Sequence, residues 1–116
     1  QEATQTVVRA LSAFTDDELA SVSAVHFADA DGRLRGFDNG WRIVSDDPTT
    51  CAEAWGQHAM IVIRDRPDCM ALLSLLVAHE ACHLATNQYD HTAVWGACFV
   101  DHLGHEGEMS PTGSGP

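Results

Sequence analysis

Five consecutive residues, His79-Glu80-Ala81-Cys82-His83, carry the chemistry of this 116-residue chain. On a helix, residues four apart share one face and lie about one turn apart. Two imidazoles so placed can meet one metal ion at about 2.0–2.1 Å. The carboxylate between them is rotated by about 100° from the first histidine, too far to ligate comfortably but near enough to touch a water held at the metal. The chemistry is metal-assisted hydrolysis. Zinc lowers the pKa of its water to roughly 7, and Glu80 takes the proton as that water attacks a carbonyl. A chain of this composition holds the pattern by chance about 0.02 times, so its surroundings must carry weight. The apolar run Met70–Ala78 leads straight into it. Two histidines and a glutamate in such a helix are costly to bury unless they are paired.

A catalytic zinc site takes three protein ligands and keeps one position open. His91 is the expected third ligand. It follows His83 by eight residues, after a break at Asn87-Gln88-Tyr89-Asp90 that lets the chain turn back, and it opens the last helix. The rivals are Asp90, Asp101, His102, His105, Glu106 and Glu108. Asp101 and His102 come next in order, because they would reach the metal if the last helix packed across the site. His102 lies about 16 Å further along that helix than His91, so one metal cannot readily take both. His26 and His58 read as ordinary strand histidines. Tyr89 reads as a loop residue laying its ring over the helix ends, with donation to a developing oxyanion as its catalytic alternative. Cys82 faces the core, toward Cys98, and Trp95 reads as a packing wedge under His91.

The elements that must position these groups read as follows. Val7, Val8, Leu11 and Phe14 recur at helical spacing over 3–14. Thr15-Asp16-Asp17-Glu18 has the form of a capping box, opening a short turn to Ser21. Residues 22–28 alternate as a strand, and Asp29-Ala30-Asp31-Gly32 is turn chemistry. Strands at 33–37 and 41–45 flank Asp38-Asn39-Gly40, a hairpin signal. Residues 46–57 read as a loop with one helical turn over Ala52–Trp55. His58–Arg64 is a strand with β-branched bulk. Cys69–Thr86 is a helix buried on most sides, with Asp68 or Arg66 near its cap. Thr92–Leu103 is the last helix, ended by Gly104. The expected class is α+β: a small single-domain fold over 1–105, with an N-terminal helix, a three- to four-stranded mostly antiparallel sheet, the motif helix and a C-terminal helix. Residues 106–116 are polar, rich in Gly, Ser and Pro, and expected to form a disordered tail.

Composition narrows the function. Acidic residues number 17 against 6 basic ones, all arginine, for a net charge of −11. Phosphate-backbone binding needs clustered Lys and Arg, so direct nucleic-acid binding is not expected, nor attraction to anionic lipid. The longest apolar run is far too short to span a bilayer. No signal peptide is visible, and a chain beginning at Gln1 suggests a processed or trimmed start. Cys51, Cys69, Cys82 and Cys98 have no CxxC spacing, which argues against a thiolate zinc site. They read first as small buried apolar residues. A Cys51–Cys69 link is the alternative, since the two bracket an apolar strand. Compartment and oligomeric state are left open.

The HEACH motif, followed by a short polar loop and by His91-Thr92-Ala93-Val94-Trp95 opening a helix, resembles the SprT-like, or minigluzincin-type, zinc metallopeptidases. Those families pair HExxH with a downstream histidine whose +4 position is a large aromatic, here Trp95. The resemblance spans residues 22–103 and extends to the order of elements. It implies a zincin-like fold, one Zn2+ held by His79, His83 and His91, and Glu80 as general base. No cysteine-rich ribbon or basic stretch follows, so the DNA-linked role of the best-known members is not implied. Metzincins would need a glycine at position 86 and a histidine at position 89, where this chain has Thr86 and Tyr89. The expected activity is a zinc-dependent endopeptidase acting on a peptide or unfolded protein, with the strand at 58–64 offering its edge to an extended substrate. The alternatives are a non-catalytic zinc module and a zinc amidase acting on a non-protein substrate.

Overall fold

β-Branched residues set the centre of the fold. The computed structural model describes residues 2–35, 41–45 and 47–109. Within it, β5 (Met60–Arg64) is buried along its whole length. β1 (Ala24–Ala28) pairs with β5 in parallel, Val25 opposite Ile61. β4 (Ala52–Trp55) pairs with it antiparallel on the other side, Ala54 opposite Ile61. The strand order is therefore β1-β5-β4. β2 (Arg33–Arg35) and β3 (Trp41–Ile43) form a separate antiparallel ribbon, Leu34 opposite Arg42. The α+β class holds. Among the described residues two strand pairings are antiparallel and one, β1 with β5, is parallel, because the chain makes a long excursion between β1 and β5 and re-enters in the same direction. The Asp38-Asn39-Gly40 turn lies outside the described residues.

The period of two in β5 sorts the core into two layers. Ile61 and Ile63 pack with α1 (Glu2–Leu11), α4 (Leu73–Thr86) and α5 (Ala93–Met109) through Val7, Ala10, Val77, Ala81 and Trp95. Met60 and Val62 face the other way, against Ala28 and Val44. Two short helices complete the chain. In α2 (Asp16–Leu19) the expected capping box is formed: the Thr15 hydroxyl accepts from the Glu18 N–H at 3.1 Å, and the Glu18 carboxylate accepts from the Thr15 N–H at 2.8 Å. α3 (Pro67–Met70) starts after Arg66 and is separate from α4. The expected single helix over 69–86 is thus two, with the break at Ala71-Leu72.

Arg64 closes the end of β5. It is 3% exposed, and its guanidinium donates to the carbonyls of Thr50, Ala30 and Ser45 at 2.8–3.1 Å. A buried guanidinium needs that many acceptors to offset its lost water. Gly32 sits against it at φ 86°, where a Cβ would lie 3.0 Å from the guanidinium; both the backbone angle and the space call for glycine.

Other boundaries move. The first helix ends at Leu11, leaving Phe14 buried beyond it. Ala52–Trp55 is a strand rather than a helical turn, and His58 belongs to a 3-10 turn over Gly56–His58 rather than to β5. α5 continues past Gly104 to Met109, over the first residues assigned to the tail; residues 110–116 lie outside the described residues. The cysteines are not free. Cys51 bonds to Cys69 and Cys82 to Cys98. The first tethers the residue entering β4 to α3, and the second ties α4 to α5. No helix among the described residues is long and apolar enough to cross a membrane.

Candidate metal centre

α4 is helical because Leu73–Thr86 contains neither glycine nor proline and is dominated by strong helix formers. It stops at Asn87, which takes the left-handed conformation (φ 56°) and donates its N–H to the last-turn carbonyls. Asparagine tolerates that conformation better than most residues. The reversal sends Gln88 back beside the helix, where its carbonyl oxygen lies 2.7 Å from His83 Nδ1. A carbonyl can only accept, so His83 donates from Nδ1 and presents a lone pair at Nε2, 3.3 Å from His79 Nε2. Metal-binding histidines are oriented by this kind of second contact. The Thr92 hydroxyl then accepts from the Trp95 N–H at 3.2 Å, starting α5. His91 therefore sits one residue before the cap, not in the first helical turn as expected.

The three histidines converge. His79 Nε2 is 3.3 Å from His83 Nε2 and 3.3 Å from His91 Nε2. One ligand atom of each lies within 4.8 Å of the others, so the group could hold a metal ion. Nitrogens about 2.0–2.1 Å from one tetrahedral ion are themselves about 3.3–3.4 Å apart, which is the spacing of the two pairs that include His79. Burial, and then the proximity of His83 and His91, push the His79 imidazole down to about 4. His83 is lowered too, chiefly by burial. Neutral imidazoles are the ligating form.

Glu80 is 7% exposed, with Oε2 3.9 Å from His79 Nε2. Burial pushes its carboxyl up to about 7, and the like charge of Glu53 adds to that. Glu53 lies on β4 and is held by the Trp55 indole N–H at 3.0 Å; its own carboxyl is also raised, chiefly by burial. The influence of Glu53 was hidden in the sequence because Ala52-Glu53-Ala54-Trp55 reads as a helical turn, four residues being too few to show a strand period.

Trp95 packs against all three histidines. Its ring lies 4.8, 5.2 and 4.5 Å from the rings of His79, His83 and His91. Its indole N–H donates to the His79 carbonyl at 3.2 Å. Tyr89 stacks parallel to His83 at 6.1 Å, and its hydroxyl touches Gly56 so closely that a Cβ there would collide with it. Gly56 is a contact the sequence did not flag. Tyr89 thus bridges the reversal after α4 and the turn between β4 and β5.

The remaining candidates lie elsewhere. His102 stacks on Phe14 at 3.9 Å and donates to the Glu18 carboxylate at 2.9 Å, and the Asp101 side chain is 82% exposed. Neither joins the histidine group. Asp90 is exposed. The side chains of His105, Glu106 and Glu108 lie outside the described residues. β5 cannot take a substrate at its edge, since it is the central strand; β4 is the edge strand beside α4. No family model, curated protein or solved structure matches the chain.

Proposed function

We propose that the chain is a zinc-dependent endopeptidase with the SprT-like arrangement: His79, His83 and His91 as zinc ligands and Glu80 as general base. The observation that carries this reading is the group of three imidazoles with Glu80 beside it: His79, Glu80 and His83 on α4, and His91 brought back to them by the reversal at Asn87. The donor set fits zinc, which favours imidazole and needs no redox partner. Zinc held there would supply Lewis acidity, polarising the scissile carbonyl and acidifying the attacking water. Glu80 accepts the proton of that water and returns it to the leaving amine. Its burial keeps the carboxyl receptive near neutral pH. The free edge of β4 would hold an extended peptide by strand addition.

Two facts favour this over a closed, structural zinc site. Asp101 and His102 are not in the histidine group, and that group has three members among the described residues. Three ligands leave a coordination position for chemistry. The two disulfides favour an oxidising compartment.

The test is elemental analysis of the purified protein together with cleavage of an unfolded protein before and after chelation. One zinc per chain, and cleavage lost on chelation and restored by added zinc, are expected. Absence of bound zinc, or cleavage indifferent to chelation, would remove the proposal.

A further inference from the structure

Cys82, Cys98 and His102 form a second group of ligand atoms, each within 4.8 Å of the others and distinct from the three histidines. Cys82 on α4 is fully buried, and Cys98 on α5 is partly exposed. His102 follows Cys98 by about one helical turn and is 7% exposed. Its Nδ1 lies 3.6 Å from Cys98 Sγ. Zinc bound by a thiolate at about 2.3 Å and an imidazole at about 2.0–2.1 Å sets sulfur and nitrogen about 3.6 Å apart at a tetrahedral angle. The other ring nitrogen, Nε2, donates to Glu18 Oε1 at 2.9 Å. A carboxylate on the far nitrogen is the outer partner that metal-bound histidines characteristically use.

We infer that reduction of the Cys82–Cys98 disulfide opens a second metal site, in which Cys82 Sγ, Cys98 Sγ and His102 Nδ1 hold one zinc ion and Glu18 orients His102. The reductant is a dithiol. One of its thiolates attacks the partly exposed Cys98 sulfur, and Cys82 leaves as thiolate. Its second thiol then resolves the mixed disulfide, so that the dithiol is oxidised and both cysteines end as thiols. In the disulfide form Nδ1 donates to the Cys98 carbonyl at 2.7 Å. Zinc displaces that proton and the two thiol protons, while Nε2 keeps its bond to Glu18. α4 and α5 thus remain tied to each other in both states, by a disulfide in one and by a metal in the other. The histidine group plays no part in this site, so the inference stands apart from the proposed peptidase.

Cobalt titration of the full chain, before and after anaerobic reduction with a dithiol, tests it. Cobalt reports thiolate ligation by charge-transfer absorption. The reduced chain is expected to take one further equivalent with that absorption. Glu18→Gln should weaken the extra site about 10- to 100-fold and leave cobalt uptake by the disulfide form unchanged. His102→Ala should weaken it at least as much. Reduction also frees Cys51 and Cys69, which with Asp68 form another group of ligand atoms. Thiolate absorption that is indifferent to both Glu18→Gln and His102→Ala would place the metal on those cysteines or on an unfolded chain, and would overturn the assignment. Failure of the reduced chain to take an additional equivalent would overturn it as well.

Discussion

The Gln88 carbonyl oxygen lies 2.7 Å from His83 Nδ1. That one contact links helix termination to the orientation of the His83 ring. The left-handed Asn87 ends α4, the next residue turns back to fix the ring of His83, and three residues later His91 arrives opposite His79.

The third ligand can be separated from its rival. His91→Ala should weaken zinc binding by at least an order of magnitude, and His102→Ala should leave it nearly unchanged in the disulfide form. The first removes a nitrogen 3.3 Å from His79 Nε2; the second removes a partner of Glu18 and Phe14. Zinc titrations monitored by a competing chelator would show the ranking. The reverse ranking would end the SprT-like reading, which stands on His91 with Trp95 four residues later.

Metal removal should lower stability. The three proposed ligands, His79, His83 and His91, lie on α4 and on the segment entering α5, and a metal that binds only the folded state stabilises it by mass action, about 2.7 kcal/mol at a free concentration 100 times Kd. Thermal melts with and without chelator should show a lower midpoint without zinc. Equal midpoints would contradict the coupling.

Trp95 joins packing to ligand placement. Trp95→Ala should cost about 3–5 kcal/mol, as large aromatic truncations in a core do, because the ring is 9% exposed and abuts all three histidines. Trp95→Phe should cost much less in stability and still lose the bond to the His79 carbonyl. Denaturant unfolding and zinc affinity, measured on both variants, distinguish the two effects.

Much of this was legible in the chain. The motif helix, the capping box at Thr15 and the approach of His91 to His79 follow from spacing and cap chemistry, which act within a few residues. The parallel pairing of β1 with β5 could not be read, since it depends on contacts 36 residues apart. β4 was misread because four residues are too few to show a period. The disulfides were partly legible: a Cys51–Cys69 link is the alternative reading and Cys82 is placed toward Cys98, but only the fold brings each pair of sulfurs to bonding distance.

Acid should weaken one specific link. Burial raises the Glu18 carboxyl, but the Thr15 N–H and His102 outweigh it, and the net shift is downward from 4.5. A carboxylate with a lowered folded pKa contributes stability above its unfolded value and loses it as pH falls through the folded one. The stability difference between wild type and Glu18→Gln should therefore be full at neutral pH and shrink below about pH 4.5. Chemical denaturation at several pH values would show this; a difference that grows on acidification would contradict it.

The most direct measurement compares cleavage of an unfolded protein by the zinc-loaded wild type and by Glu80→Gln at matched zinc occupancy. Glu80 is not a ligand in this account, so Glu80→Gln should still bind one zinc per chain. Its cleavage rate should fall by about 10²- to 10⁴-fold, the usual contribution of a general base. Cleavage by Glu80→Gln at the wild-type rate, with zinc bound, would contradict the assignment of Glu80 and with it the proposed hydrolysis.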